Sequence, residues 1–251
     1  DQAPIHFKHL KNYTLTSAAI RGEKYYLKRM LYLTPEQKGL YNIILFVCKI
    51  FVIKIVEFQR LGGNYDDAYY SLLKLINKSE FKCYREEEIK AAIPEALDSY
   101  YTLTEKLYAK REELYGKPYP VEVSLSSREG NAILVSGTDY KILETILKLT
   151  KDENIDIYTH GLDMINAHSY PKLNRYKHLV GHFGSVSENG IVDFATFPGA
   201  ILMTRASIQN FEYLYRGRLF SLDPITPFGV KRIVDNNFDE LIEAAKLRAF
   251  K

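Results

Sequence analysis

The sequence is poor in sulfur and has no tryptophan. Its 251 residues include two cysteines, Cys48 and Cys83, which are too far apart to suggest a disulfide framework or a metal-binding motif. We expect both thiols to be small core groups in helices of a protein that resides in a reducing compartment. No signal peptide precedes the predicted helices, so the expected location is cytoplasmic.

Long uncharged apolar runs and dense basic runs are also missing. The best membrane candidate, residues 40–56, contains Lys49 and Lys54 and falls short of the roughly 20 apolar residues that a membrane span needs. We therefore expect a core helix there and no membrane association. The net charge is only +3, and no Lys/Arg block alternates with aromatic residues, so nucleic-acid binding is not expected.

What the sequence does contain is enough apolar material for a folded core, at 46% of residues. Capping residues and helical spacing predict helices at about 16–33, 34–60, 66–76 and 86–114, which together make an antiparallel bundle of four or five helices. A glycine and two prolines, Gly116, Pro118 and Pro120, then end the helical pattern. We predict a helical bundle domain at 1–116 and a second domain at 117–251.

The second half changes to alternating strands and helices. Its clearest unit is an apolar run at 132–135, a break at Ser136 and Gly137, and a helix at 140–149 that Thr138 or Asp139 can cap. Further strands are predicted at 155–158, 178–180, 200–203, 218–221 and 231–234. Helices are predicted around 187–195, 207–215 and 238–248. This alternation predicts an α/β fold, in which a Rossmann-like domain with a mainly parallel sheet follows the helical bundle.

Polar residues follow three of the predicted strands. Thr138 and Asp139 come after the first strand, His160 and Asp163 after the second, and Ser207 after the fourth. Ligands of open α/β sheets bind at the carboxyl ends of the strands, so we expect these residues to converge on one pocket. The GxGxxG motif is missing, so a dinucleotide is not indicated.

The histidines of the second half leave alternatives open. They are His160, His168, His178 and His182. With Asp163 they could hold zinc, but their spacing matches no standard site, and each could instead bond to the backbone or face solvent. No metal site is therefore predicted. Ser207 lacks the GxSxG context of a hydrolase nucleophile.

Several segments resemble the hybrid cluster proteins, also called prismane proteins or hydroxylamine reductases. The matching stretches, in the family's order, are YGKPYPVEVSL, AILVSGTDYKILE, IDIYTHGLDMINAHSYPKLNRYKHLVGHFG, FPGAILMTRASIQ and FGVKRIV. The resemblance covers Tyr115 to the C-terminus. It implies a helical domain followed by two Rossmann-like domains, a cubane cluster, and an iron–sulfur–oxygen hybrid cluster that reduces hydroxylamine to ammonia; nitric oxide reduction is also attributed to the family.

The resemblance fails at the cluster ligands. Thr138 stands where the family's SGHD turn has a histidine ligand, and Ser207 where its TNC motif has a cysteine. If Leu162 is an insertion, Asp163 takes the place of the family's glutamate ligand. The cubane cysteine motif and the third domain, with its remaining cysteine ligands, are also missing. Thiolates hold iron–sulfur clusters, so we expect both clusters to be absent.

The expected function is that of a cluster-free, non-redox relative that binds a small ligand or serves as a scaffold or partner subunit; whether it is an enzyme stays open. The remnant cluster pocket would comprise Thr138, Asp139, His160, Asp163, His168 and Ser207. We expect a homodimer or a protein partner at the face left uncovered by the missing domain. One alternative is a hydroxylamine reductase-type enzyme completed by a partner chain. Others are a non-iron metal-dependent hydrolase and a folded domain whose pocket is filled by its own side chains.

Overall fold

The structure is a computed structural model that describes residues 15–81, 83–184, 190–204, 212–223, 226 and 229–250, with side chains from residue 20 onward except at residue 212. The chain divides into two compact units by its internal packing. One comprises Asp1–Ile55 with Tyr65–Leu103, and the other comprises Val56–Asn64 with Thr104–Lys251. The domains predicted at 1–116 and 117–251 stay a prediction.

Four helices are described in the first 115 residues, close to their predicted bounds. They are α1 (Leu15–Met30), α2 (Pro35–Arg60), α3 (Asp66–Lys78) and α4 (Glu86–Tyr115). The start of α2 is a reciprocal cap: the Gln37 backbone N–H donates to Thr34 Oγ1 over 3.3 Å, and the Thr34 N–H donates to Gln37 Oε1 over 3.2 Å. This geometry confirms the helix start predicted at about residue 34.

Helix α2 buries only one stripe of its apolar surface. The buried stripe in the first unit repeats at helical spacing and comprises Leu40, Tyr41, Ile44, Val47, Phe51 and Ile55. Ile43, Phe46 and Val52 are exposed, so α2 is not enclosed on all sides. Among the described residues α2 alone has the length and apolar composition of a membrane span, a test that core helices of soluble proteins also pass. The absence of membrane association stays a prediction.

The expected core position of the cysteines is wrong for Cys83. This residue lies in the turn between α3 and α4, outside both helices, and its side chain is exposed. Cys48 lies half-buried on α2, and burial raises the pKa of its thiol to about 11.

The second unit is built on a seven-stranded sheet. Its strands are β1 (Gly130–Ser136), β2 (Ile155–His160), β3 (Leu179–His182), β4 (Ala200–Met203), β5 (Leu219–Ser221), β6 (Lys231–Arg232) and β7 (Ala249–Phe250). The first six lie parallel in the order β3-β2-β1-β4-β5-β6, and β7 pairs antiparallel with the start of β1. The predicted α/β class and mainly parallel sheet are confirmed. Strand β7 has only two residues, too few for a recognisable pattern.

Helices alternate with the strands along the chain of this unit. They are α5 (Tyr140–Leu149), α6 (Leu162–Ile165), α7 (Pro171–Asn174), α8 (Gly190–Thr196) and α9 (Asp239–Lys246). The predicted bounds of α5 are confirmed. Short helices α6 and α7 were not predicted. The helix predicted at 207–215 falls mostly on residues outside those described, and 212–214 form a single 3₁₀ turn.

The centre of the core is β1, whose residues 132–135 are at most 1% exposed. Leu143 and Ile146 of α5 are fully buried, and an aromatic cluster that includes Tyr158, Phe194 and Phe197 packs with Ala132 and Leu134 of β1. A strand covered on both faces has no polar side to present to water, which explains its continuous apolar run.

The strand order also fixes where a ligand can bind. The chain leaves β1 toward β2 and β3 on one side, and continues from β4 toward β5 and β6 on the other. Neighbouring strands β1 and β4 therefore form the switch point of the sheet. Connections diverge there and leave a crevice at the carboxyl ends of the two strands.

Candidate functional site

A cavity of about 280 Å³ opens at this switch point. Its lining comes from the ends of β1, β4 and β5 and from the last turn of α2. The lining residues are Val56, Glu57, Arg60, Thr138, Asp139, Thr204, Leu222 and Asp223. All of them belong to the second compact unit.

The turn after β1 shapes one wall of the cavity. Gly137 has φ +121°, a conformation that favours glycine and lets the chain leave the strand sharply. Asp139 then caps α5, because its Oδ1 accepts a hydrogen bond of 3.1 Å from the Ile142 N–H. The Thr204 hydroxyl at the end of β4 donates to the Ser136 carbonyl over 3.0 Å and ties the turn to the neighbouring strand.

Arg60 and Asp139 both line the cavity and form an ion pair with each other. The Arg60 guanidinium donates to Asp139 Oδ2, while Oδ1 remains on the helix cap. The Asp139 side chain is 5% exposed and the Arg60 side chain 41% exposed. The carboxylate is therefore fixed from two sides, whereas the guanidinium reaches it from the surface.

A second ion pair, which is fully buried, contributes Glu57 to the cavity lining. Arg111 donates to the Glu57 carboxylate, and its guanidinium lies 4.0 Å from the centre of the Tyr140 ring. Burial disfavours the charge on Arg111, but the Glu57 carboxylate outweighs it and raises the pKa of the guanidinium. The Tyr140 hydroxyl donates to the Asp163 carbonyl over 2.8 Å, which links this pair to α6.

On the other side of β1, polar side chains form a buried hydrogen-bonded chain. His160 Nδ1 lies 2.9 Å from the Ser136 hydroxyl and Nε2 lies 3.3 Å from Asp193 Oδ2. Burial lowers the pKa of His160 despite the Asp193 carboxylate, so the ring is neutral near pH 7. Because a carboxylate only accepts, Nε2 carries the proton and the Ser136 hydroxyl donates to Nδ1. Gly184 leaves room for Asp193, since a Cβ there would lie 2.3 Å from its Oδ2.

A neighbouring group is centred on the Thr159 hydroxyl. This oxygen lies 3.0 Å from His168 Nε2 and 2.9 Å from His182 Nδ1, and the His182 and His160 rings stack with centroids 6.3 Å apart. Burial lowers the pKa of His168 to about 4. We call Ser136, Thr159, His160, His168, His182 and Asp193 the histidine cluster; it consists of two hydrogen-bonded groups in contact through the stacked His160 and His182 rings.

The predicted site residues thus fall in several places. Thr138 and Asp139 line the switch-point cavity, while His160 and His168 belong to the histidine cluster. Asp163 lies half-buried on α6, where its carbonyl accepts from Tyr140. Ser207 lies outside the described residues. Among the described residues no group of three or more His, Cys, Asp or Glu side chains is arranged to hold a metal ion.

Sequence reasoning missed the residues that α2 and β5 bring to the cavity, namely Glu57, Arg60 and Asp223. Arg60 and Asp139 are separated by 79 positions, so no local motif connects them. The available signal was the pair of charged residues, Glu57 and Arg60, in the last turn of a largely apolar helix.

Comparisons with known proteins agree on one family. The family model described as Prismane/CO dehydrogenase family matches residues 89–250. A hydroxylamine reductase of Acidiphilium cryptum is 43% identical over 146 residues, which is 58% of this chain and 26% of that protein. A hydroxylamine reductase of Syntrophobacter fumaroxidans is 33% identical over 233 residues, which is 92% of this chain and 43% of that protein.

A third relative, a hydroxylamine reductase of Rhodospirillum rubrum, is 45% identical over 131 residues, or 52% of this chain and 24% of that protein. The chain spans less than half the length of each of these relatives. The family model, in contrast, covers most of the chain, including all seven strands of the sheet, and it confirms the resemblance read from the sequence. This chain belongs to the Prismane/CO dehydrogenase family.

Proposed function

We propose that this chain is a cluster-free member of its family that binds a small polar ligand in the switch-point cavity. The observation that carries the proposal is the cavity wall after β1. Thr138 occupies the position where the family resemblance places a histidine ligand, and the next residue, Asp139, is engaged by Arg60 and by the cap of α5. That wall offers hydroxyl and charged groups to a ligand.

The donor atoms of the cavity support this reading. Iron–sulfur clusters are held by thiolates, whereas the described lining offers hydroxyls, carboxylates and one guanidinium. A hydroxyl stays protonated near pH 7 and is a poor substitute for a thiolate on iron. The two cysteines of the chain, Cys48 and Cys83, belong to the helical unit. The donor set around the cavity therefore does not fit a cluster.

Metal and sulfide analysis of anaerobically purified protein tests the proposal. We expect iron and acid-labile sulfide far below one equivalent per chain, and no visible absorption after reconstitution with iron and sulfide. The variant Thr138→His restores an imidazole at the family position and should still fail to assemble a cluster, because the thiolates remain missing; Thr138→Ser is its control. A brown protein with several irons per chain would overturn the proposal.

Ligand binding is tested separately by a thermal-shift screen of small polar molecules. We expect at least one of them to stabilise the chain, and the cavity-filling variant Thr204→Leu to abolish that stabilisation. Binding to the folded state raises the melting temperature in a concentration-dependent way, so the effect is measurable even for weak ligands. Stabilisation that survives in Thr204→Leu would place the ligand elsewhere.

A second candidate function is hydroxylamine reduction. It is favoured by the names of the relatives, one of which matches 92% of this chain at 33% identity. In that case another polypeptide, such as a partner chain, would have to supply the cluster ligands that this segment does not contain. Iron with sulfide, together with hydroxylamine-dependent oxidation of a reduced dye, would support this candidate over the first.

We also propose that the chain forms a homodimer or binds a protein partner. Exposed apolar side chains of the α/β unit, including Leu162, Val234 and Leu247, support an interface there. Light scattering on a concentration series tests it, and a monomer throughout would count against self-association.

A further inference from the structure

We infer that the ligand of the switch-point cavity is a small zwitterion that inserts into the Arg60–Asp139 ion pair. The carboxylate of the ligand would bind the Arg60 guanidinium, and its ammonium group would bind the Asp139 carboxylate. This inference rests on the proposed function, because it names the chemical class of the ligand for the same cavity.

Two ion pairs contribute charged residues to the cavity lining. Glu57 is paired with the buried Arg111, and Asp139 is paired with Arg60. The buried pair has side-chain exposures of 1% for Arg111 and 3% for Glu57, so a ligand would have to separate it before contacting either charge. The Arg60–Asp139 pair lines the cavity and is partly exposed, which makes it the accessible pair.

The side chains of the two residues in the accessible pair differ in how firmly they are held. Asp139 is held on its Oδ1 by the Ile142 N–H, and its backbone is fixed at the start of α5. Arg60 is the last residue of α2 and makes its ion pair through a long side chain that is 41% exposed. Separation of the pair therefore moves Arg60 and leaves Asp139 and the helix cap in place.

This asymmetry decides between ligand classes. A simple anion would bind Arg60 and leave the buried Asp139 carboxylate without its guanidinium partner, which opposes the binding of an anion. A simple cation would bind Asp139 but displace the guanidinium into water. Asp223 adds another carboxylate to the same lining, which further disfavours an anion.

A zwitterion leaves neither charge unpaired. Both original charges gain a new partner, the net charge of the cavity does not change, and the Oδ1 cap bond is kept. The volume of about 280 Å³ equals that of about nine water molecules at roughly 30 Å³ each, enough for a molecule of amino-acid size. The half-buried Thr138 hydroxyl lies on the same wall and can bond to either end of such a molecule.

Titration calorimetry with three probes tests the inference on the whole chain. The probes are glycine, which is a zwitterion, and its two halves, acetate and methylammonium, at equal ionic strength. We expect glycine or its longer homologue β-alanine to bind at least about tenfold more tightly than either half, which corresponds to about 1.4 kcal/mol.

Variants assign any binding to the ion pair. Arg60→Gln should weaken zwitterion binding by about tenfold or more, since it removes the carboxylate partner. Asp139→Asn retains an amide oxygen for the helix cap and should cause a similar loss. Arg85→Gln, at an arginine whose side chain is 84% exposed in the helical unit, is the matched control and should change nothing.

The outcomes separate this inference from the proposed function. If acetate or methylammonium binds as tightly as the zwitterion and the variants weaken it, the cavity is a polar-ligand site and the zwitterion assignment is wrong. If none of the three probes binds, the zwitterion assignment is overturned as well, and the thermal-shift screen decides independently whether the cavity binds another ligand. Equal binding to wild type and Arg60→Gln also overturns the assignment.

Discussion

Two polar groups lie on opposite sides of β1 at the same edge of the sheet, and they differ in how their charges are satisfied. In the switch-point cavity, the Arg60–Asp139 ion pair has one fixed member and one that reaches the surface. In the histidine cluster, His160 and His168 are buried, hydrogen-bonded to neighbouring side chains and neutral near pH 7.

The difference indicates which group is available to a ligand. A buried group whose hydrogen bonds are made internally loses more on binding a ligand than it gains, because its existing bonds must break first. A partly exposed ion pair next to an open cavity can exchange partners at a smaller cost. This difference supports the proposed binding of a ligand in the cavity and suggests a stabilising role for the histidine cluster.

The largest expected effect is acid destabilisation through His168. Its pKa falls from 6.5 to about 4 on folding, so the unfolded chain binds more protons between these values. The stability contribution is complete above about pH 6.5, declines as the pH falls toward 4, and amounts to about 3 kcal/mol at most. Urea unfolding at about pH 7.5 and about pH 5 measures this loss.

The variant His168→Gln isolates that contribution from the titration of carboxylates. It retains a group that can bond to Thr159 but cannot titrate, so its stability should fall less than that of the wild type between the two pH values. His178→Gln is the comparison, since His178 is half-buried and bonds to Thr150 over 3.2 Å. Identical pH dependence in wild type and His168→Gln would show that His168 does not carry the effect.

The next effect concerns the fixed member of the ion pair. Asp139→Ala removes the cap of α5 and leaves the Ile142 N–H without its 3.1 Å acceptor, so it should lower the free energy of unfolding by about 2 kcal/mol. Asp139→Asn keeps a capping oxygen and should cost clearly less. Both are measured by urea unfolding at neutral pH, and equal losses would mean that the charge, and not the cap, stabilises this turn.

The turn after β1 and the histidine cluster also show what the sequence could and could not predict. The strand, the break at Ser136 and Gly137, and the cap at Asp139 were predictable because each depends on residues within a few positions of one another. The bounds of α5 and the parallel sheet followed from the same local patterns. The structure adds which nitrogen of His160 faces which partner.

The missing half of the site is non-local. Arg60 meets Asp139 only because the last turn of α2 packs in the same compact unit as β1, a fact that apolar periodicity cannot supply. The histidines were predictable as residues near strand ends but not as a group. Strand register decides that His160 lies beside Ser136 and His182 beside Thr159, and register is set by tertiary packing.

A smaller effect tests the assignment of the histidine cluster to structure. Ser136→Ala removes the hydroxyl that donates to His160 Nδ1 over 2.9 Å and leaves a buried acceptor unpaired, so we expect a loss of about 1 kcal/mol. Binding of any ligand found for the cavity should be unchanged once the folded fraction is matched. A loss of ligand affinity in this variant would join the two groups into one site. Ser126→Ala, at an exposed loop residue, serves as the control.

The smallest expected effect on stability belongs to Arg60, and it sharpens the contrast most. Arg60→Gln breaks an ion pair whose guanidinium side is 41% exposed, and such pairs contribute at most about 1 kcal/mol. The helix cap on Asp139 Oδ1 is untouched. If the cavity is the ligand site, this variant should unfold almost like the wild type and yet lose the stabilisation that a cavity ligand provides. A large stability loss would instead make Arg60 a structural partner of Asp139, and the two groups beside β1 would then share one role.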